Sequence, residues 1–351
     1  MSELLKVADE SPEALYALMA EHGWGDGLPV VAPTTERVEA MLAGYAGDPD
    51  EVIGVLAPRL GEATPRALAI NAVMAGCTPD LLPVLVAAVR GICEPQFNIR
   101  GVNSTTHPVS VLTIVHGDAV DRFGFNAGTG TLGPGNRSNA TLGRAVRFVL
   151  LHVAGGAAGG AQGLGDAATQ GQPSKYTYCF AENSAASPWP SYPASLGLDA
   201  PSGAVTVAGG ENPHNFHDME SRVPELILDK CATVMATFGT NNAVVSDAEY
   251  FVVLGPEHAA TIAGAGWARQ DVQSYLYEKA RRPAGEIRAH FTANLWRPWM
   301  KALRDTDPFP MTDSPDNIRV MVSGGPGKQS FVVPSWGRTR SVTVPVTGVE
   351  A

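Results

Sequence analysis

Residues 109–115, VSVLTIV, form a run dominated by aliphatic and β-branched side chains that is shorter than an ordinary helix. Such a run is typical of a strand that is buried on both faces. Similar runs occur at 203–207, 250–254 and 318–323, with helical patterns between them. Strands that alternate with helices require crossover connections, so the sequence predicts an α/β protein with a mainly parallel sheet and flanking helices.

The first hundred residues have a different pattern, in which helical segments follow one another. They lie at 11–22, 36–44, 64–76 and 80–91. Thr64-Pro65, for example, places an N-cap residue before a proline at the first helical position. We therefore predict a mainly helical N-terminal lobe over residues 1–100 and an α/β domain with the site over residues 101–351. No internal repeat is evident in the sequence.

Composition and charge narrow the class of protein. The chain has 351 residues, 44% of them hydrophobic and 17% charged, which is a globular composition. Its net charge of −10 argues against nucleic acid or an anionic membrane as a partner, because both require a basic face. The N-terminus has no signal-peptide pattern and the four cysteines have no paired spacing, so we expect a cytoplasmic protein.

Polar residues follow the predicted strands in Gly- or Pro-containing turns, after positions 115, 207, 254 and 323. Ligands of parallel α/β sheets bind outside the carboxyl ends of the strands, so we expect these turns to meet at one edge. Asn215 and Gly325 are then candidate substrate-binding residues. Glu257 and His258 are a candidate acid–base pair. The alternative is that each turn only reverses the chain and that Glu257 is a first-turn carboxylate favoured by the helix dipole.

The segment Gly133–Arg147 joins a glycine-rich loop to a predicted helix. Free N–H groups at a helix start suit a carboxylate or phosphate, with Gly135, Asn136, Arg137 and Asn139 as candidate contacts. A capped helix with a flexible entry explains the same residues equally well.

Two further residue patterns suggest chemistry. His214 and His217, with Asp218 beside them, are candidate ligands of a divalent metal, and the alternative is a polar loop. Cys179 lies among aromatic residues and is the best candidate nucleophile, although a lone cysteine is more often structural.

Several segments together resemble a bacterial family described as UGSC-type (seleno)proteins and their associated thiol–disulfide oxidoreductase-like proteins. The segments are Asp26–Val31 with Pro33-Thr34, Asn71–Cys77, Gly133–Arg147, Tyr178–Asn183 and Gly255–Ala259. The resemblance covers about residues 24–340 and implies thiol or selenol redox chemistry. The Sec/Cys-Gly-Ser-Cys tetrapeptide that names the family is absent here. A resolving thiol would therefore come from a distant cysteine or from a partner protein.

Three functional hypotheses follow. The first is an enzyme for a small anionic metabolite that uses Cys179 as nucleophile and Glu257 with His258 for proton transfer. The second is a metal-dependent lyase or hydratase that uses His214 and His217. The third is a non-catalytic accessory subunit of a thiol or selenol redox partner. The sequence names no cofactor beyond the divalent metal of the second hypothesis, and a homo-oligomer is compatible with all three. The Ala/Gly-rich stretch 154–172 is expected to be a loop.

Overall fold

The computed structural model describes residues 11–157, 164–242, 247–291 and 296–349, together with the isolated positions 5, 7, 9 and 159. It contains both helices and strands, as predicted for an α/β protein. The α-helices are α1 Pro12–His22, α2 Thr35–Leu42, α3 Pro65–Ala75, α4 Leu82–Cys93, α5 Ile99–Val102, α6 Asp118–Arg122, α7 Arg137–His152, α8 Tyr192–Ser195, α9 Pro224–Met235, α10 Pro256–Gly264, α11 Arg269–Lys279, α12 Ala284–His290 and α13 Pro298–Lys301. No helix in these ranges is long and apolar enough to cross a bilayer.

The described strands form two four-stranded sheets and two short antiparallel two-stranded sheets. They are β1 Gly54–Leu56, β2 Gly61–Ala63, β3 Ser110–His116, β4 Cys179–Ala181, β5 Ala204–Gly210, β6 His214–His217, β7 Tyr250–Leu254, β8 Arg281–Pro283, β9 Pro308–Pro310, β10 Ile318–Val322, β11 Gln329–Pro334 and β12 Val342–Pro345. The first large sheet has the order β12-β5-β3-β4, and the second has the order β10-β7-β11-β6.

The two sheets pack face to face with helices on their outer faces. Leu112 and Ile114 of β3 share one buried cluster with Phe251 and Val253 of β7. The alternate side chains of β3, such as Val111, face outward and belong to a second cluster with α3, α4 and α7. The outward side chains of β7 pack with α9, α10 and α11 in a third cluster. The layers are therefore helix, sheet, sheet, helix.

The prediction of a mainly parallel sheet is not confirmed. Among the described strands, only the β3–β4 and β7–β10 pairings are parallel, and both large sheets are mixed. A continuous apolar run shows that both faces of a strand are buried, and helices usually provide that cover in parallel sheets. Here the second sheet covers the inner face, so the same pattern arises in antiparallel strands.

The two sheets are built by an internal repeat that the sequence did not reveal. Strands β3, β4 and β5 have the same order and directions as β7, β10 and β11. Each half gives its last strand to the other sheet: β6 pairs with β11, and β12 pairs with β5. Helices α4 and α9, which precede the two halves, pack on equivalent strands.

The β5–β6 and β11–β12 connections, which lead the chain from one sheet to the other, meet at a local twofold axis. Gly210 and Ser335, which occupy equivalent positions, form an antiparallel bridge with each other. Around it, the backbone N–H of Glu211 donates to Pro334 O at 2.8 Å, and that of Trp336 donates to Gly209 O at 3.1 Å. We call residues 209–212 and 334–337 the strand crossing, and the end of the sandwich that contains them the crossing end.

The opposite end, where β3, β4, β7 and β10 finish, is called the turn end. Its loops touch, because Asn183 N donates to Val322 O at 2.8 Å and Gly324 N donates to Ala127 O at 2.8 Å. The turns after β3, β7 and β10 therefore lie at one end, as expected. The turn after β5 lies at the other, because β5 is antiparallel to β3 and places Gly210 opposite Ser110. The predicted meeting of all four turns is wrong.

Helices α1 and α3 begin and end at the expected capping residues, whereas α4 has no side-chain cap at its start. Thr64 accepts a hydrogen bond from Ala67 N, Pro65 opens α3, and Gly76 ends it with a left-handed φ of 88°. Residues of α3 and α4 share their hydrophobic cluster with β3 and β5. The division near residue 100 stays a prediction.

Candidate functional site

A pocket with a volume of about 570 Å³ lies at the crossing end. Its polar lining residues are His107, Gln172, Glu211, Asn212, Thr240 and Asn241, and Phe238 adds an aromatic wall. The first four belong to the half that contains β3–β6, whereas residues 238–241 follow α9 at the start of the second half. The pocket is therefore built between the two repeats, a frequent position for ligand sites.

A histidine–carboxylate pair is the chemically distinctive part of this pocket. His107 Nε2 lies 3.0 Å from Glu211 Oε1, and each side chain is 20% exposed. The backbone N–H of Val109 donates to His107 Nδ1 at 3.1 Å, so Nδ1 carries a lone pair and Nε2 carries the proton. His107 thus donates to Glu211, and its ring stacks on Trp336 at a centroid distance of 6.3 Å.

Three amide side chains fix which hydrogen-bonding groups the pocket offers. Asn212 Oδ1 accepts from Ser174 Oγ at 3.2 Å, and Asn241 Oδ1 accepts from Gly337 N at 3.1 Å. Their NH₂ groups are thus left as donors. Gln172 Nε2 donates to Gly210 O at 3.0 Å, whereas Gln172 Oε1 is buried without a hydrogen-bond partner among the described residues.

The pocket therefore combines two amide donors with one partly exposed acceptor, Glu211 Oε2. No described residue donates to Glu211 Oε2. The carboxylate can accept a proton, and the amide NH₂ groups can hold a carbonyl or carboxylate oxygen.

Cys179 is not among the residues that line this pocket. It is buried on the outer face of the first sheet, among side chains of α7 and the other N-terminal helices. Burial raises the pKa of its thiol well above the ordinary value, and this disfavours the thiolate that a nucleophile requires. The structure gives Cys179 a packing role.

Glu257 and His258 are engaged at the turn end and do not approach Cys179. Glu257 Oε1 accepts from Gly327 N at 2.8 Å. His258 is buried and is bonded on both ring nitrogens, to Ser330 Oγ at 2.7 Å and to Asp218 O at 3.2 Å. Burial lowers the pKa of His258 and keeps the ring neutral. Both residues join loops of the second sheet.

The residues predicted to bind an anion at the start of α7 are used within the protein. Asn136 caps the helix by accepting from Asn139 N at 2.9 Å, and Asn139 Oδ1 accepts from Asn126 N at 2.8 Å. Arg137 Nε donates to Gly76 O at 2.9 Å. Gly135 has a φ of 109°, which suits glycine in the turn before the helix. The capped-helix interpretation explains this segment.

Two other candidate substrate-binding residues also have structural contacts. Asn215 Nδ2 donates to Ser330 O at 3.0 Å and joins β6 to β11. Gly325 packs so tightly on Thr129 that a side chain at this position would clash. Neither residue lies in the pocket at the crossing end.

The predicted metal ligands do not converge. His214 and His217 are exposed on β6 and, three positions apart on a strand, project from opposite faces. Asp218 is buried and accepts from Lys230 Nζ at 2.6 Å; this contact and hydrogen bonds from Ser221 and Glu220 lower its pKa. Within the described ranges, no group of three or more His, Cys, Asp and Glu residues is placed to hold a metal ion.

The stretch 154–172 is described only in part, since positions 158 and 160–163 lie outside the described residues. Its described part is tied to the body of the protein. Asp166 contacts Arg147 and Lys175, and Thr169 N donates to Thr106 O at 2.9 Å.

Sequence reasoning missed the pair His107 and Glu211, which are 104 positions apart. The sequence does show Glu211 as an acidic residue that follows the predicted strand at 203–207. A parallel sheet, however, would separate that strand end from the start of β3, where His107 lies. The antiparallel pairing of β3 with β5 places the two together, because Ser110 is opposite Gly210.

Comparison with known proteins identifies no family: neither a protein-family model nor a curated protein sequence matches the chain. The resemblance to UGSC-type proteins therefore stays a prediction, and the function is inferred from the pocket.

Proposed function

We propose that the protein is an enzyme that performs acid–base chemistry on a small polar metabolite in the pocket at the crossing end. The observation that carries this proposal is the partly exposed His107–Glu211 pair in a pocket of about 570 Å³. The proposal keeps the histidine–carboxylate chemistry expected from the sequence but assigns it to other residues.

Each polar group of the pocket has a distinct role in this proposal. Glu211 removes a proton from the substrate, and His107 holds one carboxylate oxygen so that the other faces the reacting group. The NH₂ groups of Asn212 and Asn241 bind a substrate oxygen on which negative charge develops. Gln172, whose Nε2 donates to Gly210 O, forms part of the pocket wall.

The substrate class follows from these roles. It carries a carbonyl or carboxyl oxygen as acceptor and a hydroxyl or amino group as donor. A carboxylate is one acceptor of this kind, so the small anionic metabolite of the first hypothesis remains within the class. All four cysteines are free thiols, which supports the proposal that the enzyme works in the reducing cytoplasm.

A proton-exchange screen tests the proposal without knowledge of the substrate. Wild-type protein is incubated in D₂O with a mixture of small hydroxy and amino carbonyl metabolites, and deuterium uptake and consumption are followed by mass spectrometry. We expect at least one compound to exchange or react, and Glu211→Gln to lower that rate by roughly 100-fold or more.

Glu257→Gln is the matched control, because it removes the carboxylate that the sequence favoured at the turn end. It should leave the rate close to the wild-type value. The proposal is wrong if the wild type changes no compound in the mixture, or if folded Glu211→Gln reacts as fast as the wild type.

A further inference from the structure

A second, much smaller cavity lies beneath α7, beside β3 and the turn Pro173–Lys175. Its volume is about 20 Å³, which is enough for one water molecule or one monoatomic ion. Its polar lining residues are Asn103, Ser110, Arg147, Ser174 and Lys175, and valine side chains complete the wall. It is separate from the pocket of the proposed enzyme.

The charges around this cavity do not balance. Arg147 and Lys175 each have only 14% of the side chain exposed, and they share one carboxylate, that of Asp166. Lys175 Nζ lies 2.7 Å from both oxygens of Asp166, and Arg147 Nη2 lies 3.1 Å from one of them. Two cations and one anion leave one positive charge in a poorly solvated place.

Asp26, which also interacts electrostatically with Arg147, does not supply the missing charge. Asp26 is held by the Nε and Nη2 atoms of Arg144 at 2.7 and 2.8 Å, so that pair is already neutral. Burial lowers the pKa of both Arg147 and Lys175, as expected where positive charge is incompletely compensated. Arg147 Nε and Nη1 form no hydrogen bond to a described residue and are left as donors.

We propose that this cavity binds a single halide ion, chloride under cellular conditions, between Arg147 and Lys175. A halide supplies one negative charge and needs only N–H donors and room for one atom. A phosphate or carboxylate has several heavy atoms and exceeds the volume. The ion completes a neutral cluster of two cations and two anions and holds the described residues 164–172, through Asp166, against α7.

Unfolding in matched salts tests this inference. Thermal unfolding of the full chain is measured in sodium chloride, sodium bromide and sodium gluconate at equal ionic strength. Chloride and bromide should raise the midpoint by roughly 3 °C or more once the halide concentration is about 100-fold above its Kd, whereas gluconate is too large to enter. Equal midpoints in all three salts would show screening alone and overturn the inference.

Two substitutions locate the effect. Lys175→Met leaves Arg147 and Asp166 as a neutral pair and should abolish the difference between halide and gluconate. Lys230→Met is the matched control, because it removes a lysine from the Asp218 carboxylate elsewhere, and it should keep the wild-type difference. A halide effect that survives in Lys175→Met contradicts the proposed position.

If Lys175→Met fails to fold, crystals of the wild type soaked in bromide give a direct answer. An anomalous peak between Arg147 and Lys175 supports the site, and its absence in a well-diffracting bromide-soaked crystal overturns it.

Discussion

The first sheet contains two histidine–glutamate pairs, one at each end of the sandwich, and the pairs differ in burial and in hydrogen-bond partners. At the turn end, His116 Nδ1 lies 2.8 Å from Glu182 Oε2, and both side chains are fully buried between the sheets. His116 Nε2 bonds to Thr206 Oγ1 at 2.8 Å, and Tyr192 N donates to both carboxylate oxygens. At the crossing end, His107 and Glu211 are each 20% exposed.

The comparison separates a structural pair from a candidate catalytic pair. The imidazole nitrogens of His116 and both oxygens of Glu182 are bonded within the protein, and both side chains are fully buried, so a substrate cannot reach them. Glu211 keeps one oxygen that no described residue contacts, and its pocket contains further unpaired groups. Spare hydrogen-bonding capacity next to solvent, more than residue type, therefore distinguishes the two ends.

Loss of each carboxylate should give the largest contrast between the ends. Glu182→Ala leaves the His116 N–H and the Tyr192 N–H buried without an acceptor, and it removes the anion 4.0 Å from Arg269. We expect the free energy of unfolding to fall by about 3–5 kcal/mol. Glu211→Ala should cost less than about 1 kcal/mol, because its partner remains accessible to water. Denaturant unfolding of both variants measures the difference.

Equal losses of stability in the two variants would remove the distinction between the pairs. A fully active Glu182→Ala variant with reduced stability would strengthen it.

Two asparagines provide a smaller contrast of the same kind. Asn136→Ala removes the cap of α7 and should lower the free energy of unfolding by about 1 kcal/mol with no effect on turnover. Asn212→Ala should leave stability within about 0.5 kcal/mol of the wild type. It should slow reaction of any compound found by the exchange screen by roughly tenfold, because one hydrogen bond to the substrate is lost. If Asn136→Ala slowed the reaction and Asn212→Ala only lowered stability, the start of α7 would again be the better candidate for the binding segment.

Much of the local structure could be predicted from the sequence, because its causes are local. Thr64 caps the start of α3 and the left-handed Gly76 ends it, and Asn136 caps the start of α7. The buried run of β3 was also recognisable from its side chains alone.

The pairing of the strands could not be predicted in the same way. Strand direction depends on the partner, and β6 and β12 find their partners in the other half of the chain. The halves share topology without an evident repeat in their sequences. The candidate site depends on this pairing, since the strand crossing brings Glu211 to His107, whereas the apparent motifs at Cys179 and Glu257 were explained by packing and loop contacts.

The smallest expected effect concerns pH and the buried histidine of the turn end. The pKa of His258 is lowered in the folded protein by burial, so its folded-state value lies below the unfolded value near 6.5. Above pH 6.5 the ring is neutral in both states and contributes no pH dependence. Below pH 6.5 the unfolded chain binds a proton that the folded protein does not, so stability falls, by less than about 1.4 kcal/mol per pH unit for this residue. His258→Gln should flatten the urea-unfolding profile between pH 6.5 and 5.5, whereas exposed His22→Gln should not change it. A profile that keeps its full slope in His258→Gln would mean that other groups, such as His152 with its similarly lowered pKa, account for the acid sensitivity.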